Sequence, residues 1–158
     1  MTDIDYYDPG ALFGQQLEDL GIDLSEVGIY GKTWEFDFDT GDFVTDVDGH
    51  VQTVAGPDAL VQALRKRLST RRYTYLGYRF AYGNDLAAYL AEPPSGATNA
   101  WLAEVATRDA IATDPRVLDA VELAVTIDTG TEEGTVEGTI LDRYGAIIEV
   151  DIPFRFDT

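Results

Sequence analysis

The chain has no cysteine among its 158 residues. That excludes a disulfide scaffold, a thiol nucleophile and any cysteine-ligated zinc or iron–sulfur site. It has one histidine, His50, beside an Asp48-Gly49 turn. A zinc site would have to rest on carboxylates, and a Ser-His-Asp triad would have to join His50 to Ser25, Ser69 or Ser95, none of which stands in a nucleophile-elbow sequence. Gly28, Gly31 and Gly41 have neither the spacing nor the lysine of a phosphate loop. No metal and no cofactor are expected. Apolar runs long enough to cross a bilayer are missing too, and the opening MTDIDYYDPG lacks the apolar segment of a secretory signal, so no membrane role is expected.

Positive charge is the next scarcity. Against 29 acids stand 11 bases, for a net charge of -18, and lysine occurs only at Lys32 and Lys66. The 45% hydrophobic and 11% aromatic content is enough to offset chain entropy, which argues against disorder. Aspartate exceeding glutamate, with arginine in place of lysine, reads as adaptation to a salty cytoplasm, where charges are screened within ~3 Å. Nucleic acid is not an expected partner, because phosphate neutralisation needs a basic face.

What the chain does have is alternation. Trp34, Phe36 and Phe38 alternate with Glu35, Asp37 and Asp39; Asp39-Thr40-Gly41-Asp42 turns, and residues 51–54 return after Asp48-Gly49, which predicts an amino-terminal hairpin. The aspartates at 37, 39, 42, 46 and 48 do not make a calcium loop. Counted from Asp37, the sixth and twelfth positions are Asp42 and Asp48, where glycine and glutamate are needed. A helix capped by Thr98 or Asn99 should carry Trp101, Leu102, Val105 and Ala112 on one side. Beyond Asp114-Pro115 the pattern is that of a meander, with Val117, Val121, Leu123, Val125 and Ile127 sharing a face, then Val136, Gly138 and Ile140. In the last strand Ile148, Val150, Ile152, Phe154 and Phe156 face one way, and Pro153 marks an edge strand. Residues 1–30 read as an arm or a short helix through Leu12, Phe13, Leu17 and Leu20. Residues 31–158 read as one domain, with 92–98 as an internal linker. The fold expected is α+β: an amino-terminal hairpin, central helices, and a carboxy-terminal three-stranded antiparallel sheet with an exposed edge strand.

Six of the 11 bases, Arg65, Lys66, Arg67, Arg71, Arg72 and Arg79, fall in residues 60–90. Gly56-Pro57-Asp58 predicts a helix start, and Leu60, Val61, Ala63, Leu64 and Leu68 its apolar face. At about 100° per residue Arg67 lands among the apolar positions, so it must snorkel out or meet a carboxylate; it is the candidate interface arginine. Tyr73, Tyr75, Tyr78, Phe80 and Tyr82, mostly at even spacing, predict an extended segment. Gly83-Asn84-Asp85 should end it and cap a short helix through Leu86, Tyr89 and Leu90.

Thr70-Arg71-Arg72-Tyr73-Thr74-Tyr75, with Tyr78 and Tyr82-Gly83-Asn84-Asp85-Leu86, resembles the signature of small tail baseplate proteins: the wedge proteins, or sheath initiators, of contractile phage tails. The stretch from Thr33 to Phe43 is similar to that family's opening hairpin. Asp114-Pro115-Arg116 stands where related wedge proteins carry Glu-Pro-Arg, one methylene shorter. The resemblance covers roughly residues 30 to 158. It implies a structural virion component, several copies around the tail axis, six by its symmetry, with other wedge and hub proteins and the tail sheath or tube as partners. The terminal strand, 147–156, would offer its edge to the sheath. Arg72, Tyr73, Tyr78, Tyr82, Asp114, Pro115 and Arg116 would contact wedge or hub proteins. The alternative for Tyr73, Tyr75, Tyr78 and Tyr82 is a partly core role, with Arg72 and Arg116 paired to internal carboxylates. Because relatives are sometimes labelled lysozyme-like, the enzymatic rival is a carboxylate-dependent glycan hydrolase centred on Glu104.

Overall fold

Strands do form where aromatic and acidic residues alternate, in short lengths. The computed structural model describes residues 30–86, 88, 96–128 and 130–155; the expectations for 1–29, for Tyr89, Leu90 and Phe156 and for most of the 92–98 linker lie outside them. Strand β1 (Lys32–Trp34) pairs antiparallel with β4 (Thr53–Ala55), and β2 (Phe36–Asp37) with β3 (Asp42–Phe43). The Asp37 carboxylate accepts the Asp39 amide at 2.8 Å and Gly41 donates back to the Asp37 carbonyl at 2.9 Å, closing the first turn. A bridge between Thr45 and Val51 closes the second.

Helix α1 (Gly56–Leu68) comes next, with Pro57 in its first turn, where a missing N–H costs nothing. Leu60, Leu64 and Leu68 are fully buried, each contributing roughly 1.5–3 kcal/mol. Gln62 fastens the hairpins to this helix: its amide donates to the Trp34 carbonyl at 2.8 Å and its side-chain oxygen accepts the Phe36 amide at 3.0 Å. Helix α2 (Gly96–Ala112) leads to a sheet of β5 (Val117–Asp128), β6 (Glu133–Asp142) and β7 (Ile147–Arg155), in that order and antiparallel. Helix α1 packs on β7 and α2 on β5, both against one sheet face. The fold is the expected α+β.

Four local expectations are corrected. Residues 72–83 are not a strand: Arg72 donates to the Asn84 carbonyl and Asn84 to the Thr70 carbonyl, both at 2.9 Å, so the chain loops out and returns to its start. Helix α2 begins at Gly96, ahead of the expected caps. It buries Ala103, Ala106, Thr107, Ala110 and Ile111 and leaves Trp101 and Val105 exposed; small residues let the helix approach the sheet closely, which bulky ones would prevent. Val121 also leaves its expected face. An irregularity between Val117 and Asp119 shifts the alternation, so Ala120 is buried in its place, and a bulge between Val121 and Ala124 shifts it back, which returns Leu123 to the expected face. The bulge depends on Gly138, whose φ is +154° and whose absent Cβ would lie 2.6 Å from the Glu122 carbonyl oxygen; no other residue fits there.

Candidate functional site

The basic cluster and the Asp114-Pro115-Arg116 stretch meet at one buried carboxylate. At the end of α2 the Asp114 side chain accepts the Arg116 backbone amide at 3.0 Å, a local turn that brings the Arg116 side chain back onto it. Its Nε and Nη2 donate to Asp114 Oδ1 and Oδ2, each at 2.9 Å, in the bidentate geometry that suits arginine. From the last turn of α1, Arg67 brings Nη2 to 3.6 Å from Asp114 Oδ2, and its guanidinium lies 4.8 Å from the Tyr82 ring centre. Arg67 meets a carboxylate, as the helical wheel requires, and is only 7% exposed. Two guanidinium groups thus share one carboxylate, and Arg67 Nε has no hydrogen-bond partner. Burial alone would raise the Asp114 pKa, yet the hydrogen bonds from Arg116, with the charges of Arg116 and Arg67, hold it below the usual carboxylate range. Hydrogen bonding to Asp114 holds the Arg116 pKa above its ordinary value, and burial pushes the Tyr82 hydroxyl up. Pro115 is exposed at the turn.

The node extends to residues that sequence reasoning missed. Arg116 Nη1 donates to the Tyr30 carbonyl at 2.9 Å, and the Tyr30 hydroxyl donates to the fully buried Asp142 carboxylate. Asp142 in turn accepts the backbone amides of Tyr144 at 2.9 Å and Ala146 at 2.6 Å. Asp142-Arg143-Tyr144-Gly145 has the residues of a turn. Nothing in the sequence ties it to Tyr30, 112 positions away.

Arg72 holds the base of the loop. Its Nη1 lies 2.8 Å from Asp85 and its Nη2 2.9 Å from Asp109 on α2, with the Gly83 carbonyl at 3.4 Å. The hydrogen bond to Asp109 raises its pKa above the ordinary value. The guanidinium therefore pairs with internal carboxylates. Arg72→Ala is expected to cost about 1–2 kcal/mol, roughly 3–6 °C in Tm by calorimetry; an unchanged Tm would release Arg72 from the fold. Asn84, also buried, donates to the Leu68 carbonyl at the end of α1 and accepts the Leu86 amide at 3.0 Å, so the expected cap is present.

Beyond this base the loop carries its aromatics outward. Tyr73, Tyr75, Leu76 and Phe80 are exposed. Tyr78 stacks on Tyr82 with centroids 4.3 Å apart, Tyr75 meets Tyr78 edge-on, and Tyr73 meets Phe80 at 6.3 Å. These contacts, rather than a pleat, account for the spacing. Arg71 and Arg79 join them around a groove of about 630 Å³. Tyr73 has a φ of +66°, a conformation costing a bulky side chain of order 1–3 kcal/mol. A second groove, about 460 Å³, is walled by Trp34, Phe36, Phe38 and Phe43 and rimmed by Lys32, Lys66 and Arg116.

The sheet's two edges differ. Asp142 donates to the Ala146 carbonyl at 3.0 Å, which fixes the even-numbered residues of β6 and β7 as the pairs that exchange ladder bonds. The odd residues of β7, including Glu149, Asp151 and Pro153, therefore turn their backbone groups away from the sheet. Pro153 gives up a donor that has no partner there. On the opposite edge Arg108 donates to the outward Ala120 carbonyl at 2.6 Å, and the bulge at Glu122 distorts the backbone beyond it. Thus β5 is blunted and, among the described residues, β7 is open. Ile148, Val150, Ile152 and Phe154 are buried against the helices; the terminal strand presents its backbone, not its apolar face.

Glu104 forms a half-exposed ion pair with Arg108 at 3.2 Å on the surface of α2. His50 lies 3.5 Å from Asp46 in the exposed second turn.

A family model described as contractile injection system sheath initiator matches residues 32–145. No curated protein matches the chain. Among solved structures, a Geobacter sulfurreducens protein provisionally described as a tail lysozyme is 16% identical, with a TM-score of 0.49 over 64% of this chain and 91% of that one. At that score no residue role passes from one chain to the other.

Proposed function

The chain belongs to the contractile injection system sheath initiator family, and from that premise we propose that β7 is the template on which the first sheath ring forms, by addition of a sheath strand to its open edge. The observation that carries this reading is the contrast between the sheet's edges: β5 is blunted by Arg108 and a bulge, while among the described residues no hydrogen bond reaches the outward backbone groups of β7.

The protein acts as a structural component of a tail baseplate, in which residues 31–158 form one domain. The loop from Tyr73 to Tyr82, with Pro115 exposed beside it, faces neighbouring wedge or hub proteins. In support, Tyr73 holds a costly backbone conformation while its ring stays exposed, and aromatic and arginine side chains carry most interface energy. Arg67 and Arg116 lie beneath that surface and shape it. Six copies around a tail axis, in a salt-adapted particle assembled in the host cytoplasm, complete the reading.

Two proline substitutions test the edge. Asp151→Pro removes an outward donor only, so it should fold with at most about 1 kcal/mol lost and fail to nucleate sheath assembly, followed by light scattering with the purified sheath subunit. Val150→Pro removes an inner ladder donor and should lose about 3 kcal/mol. Normal nucleation by folded Asp151→Pro would sink strand addition.

A further inference from the structure

Resting on that reading of β7, we infer that the strand it accepts alternates basic with apolar residues. The outer face of the sheet carries acids where an added strand would lie. Glu149 and Asp151 project from β7 on that face, exposed. One strand inward, Glu137 stands directly opposite Asp151, and with Glu122 these residues surround a shallow depression of about 430 Å³.

The ladder pattern makes this arrangement unfavourable as it stands. Glu137 and Asp151 occupy a pair without mutual backbone bonds, the kind in which opposing Cα atoms approach to about 4.5 Å and side chains are nearest. Like charges directly opposite one another destabilise a sheet. Among the described residues no ion pair reaches Glu122, Glu137, Glu149 or Asp151, and the nearest cation in the strand, Arg155, is engaged with Glu133 at 2.8 Å. A lysine or arginine on the adjacent strand would sit beside Glu149 or Asp151 and relieve that repulsion.

The other face sets the remaining positions. Side chains of an added strand alternate between the two faces, so every second residue would sit at the rim of the core beside Ile148, Val150 and Ile152. Polar groups there would be desolvated without partners. The accepted strand therefore reads basic, apolar, basic, apolar over the span of Ile147 to Arg155, and a strand with acids on its outer face is rejected. Specificity comes from the repulsive element as much as from the attractive one.

The experiment uses the full chain and three capped nine-residue peptides in which valine alternates with lysine, glutamine or glutamate, with binding read by fluorescence anisotropy at 0.1 M and 2 M salt. The lysine peptide is expected to bind about tenfold more tightly than the glutamine peptide at low salt, and the glutamate peptide more weakly still, with the differences shrinking at 2 M. A Glu149→Lys, Asp151→Lys double variant should invert the order, and Asp151→Pro should abolish binding of all three. Equal affinities that Asp151→Pro still abolishes would overturn the charge inference and leave strand addition standing. Binding of none, or binding indifferent to Asp151→Pro, would overturn both.

Discussion

Asp114→Asn is expected to cost about 3–5 kcal/mol and to lower Tm by roughly 10 °C, because it leaves the buried Arg67 and the partly buried Arg116 without their shared anion. The magnitude comes from asymmetry. With Asp114 in place, Arg116 is held by two hydrogen bonds and Arg67 lies against the same carboxylate. Without it, both remain charged at every accessible pH. The pH dependence has a definite sign. The carboxyl is held below its unfolded value of about 3.9, so its stabilisation is fully present above about pH 4 and is lost as pH falls through the folded value. Wild-type Tm should therefore fall more steeply below about pH 4 than that of Asp114→Asn. Parallel acid profiles by calorimetry, or a loss under about 1 kcal/mol, would show that Asp114 is not the hub of this node.

Gly83→Ala should cost of order 3 kcal/mol and release the aromatic loop. The Gly83 φ is +99°, and a Cβ there would lie 2.6 Å from the Thr70 carbonyl oxygen and 3.1 Å from the Arg72 amide nitrogen. Neither obstacle is a flexible side chain; both belong to the backbone pairing that closes the loop. The Gly83 carbonyl also accepts from Arg72, so the change propagates to Asp85 and Asp109. Loss of near-ultraviolet circular dichroism from the stacked Tyr78 and Tyr82, alongside a lower Tm, is the expected signature. A variant with unchanged spectrum and Tm would mean that the loop base tolerates a side chain and is looser than its distances indicate.

These two positions illustrate what was legible in the sequence. Leu60, Leu64 and Leu68 announced α1 because a helical face repeats locally, and Pro153 announced an edge because a missing donor has only one comfortable place. The arginine at 67 could be read as needing a carboxylate, but not which one: Asp114 is distant in the chain and arrives through the packing of α2. The even spacing of Tyr73 to Tyr82 misled because a period of two describes a strand only where a neighbour supplies hydrogen bonds. Here Asn84 bonds back to Thr70 instead. Trp101 misled similarly, since hydrophobicity alone cannot tell a bulky exposed face from the small-residue face that packs closely. The resemblance pointed to regions where interaction is expected; which of their side chains face inward emerged only from long-range contacts.

The unequal edges of the sheet also limit what the protein can do to itself. A sheet open on both sides can join its own copies head to tail and grow into a fibre without end. Here Arg108 caps one outward carbonyl of β5 and a bulge distorts that side, so among the described residues β7 to β7 is the favoured meeting of two copies, and that pairing consumes the open edge of each. The facing acids at Glu149 and Asp151 oppose even this step. If β7 templates the sheath as proposed, the asymmetry that offers it to another subunit also discourages the molecule from polymerising with itself.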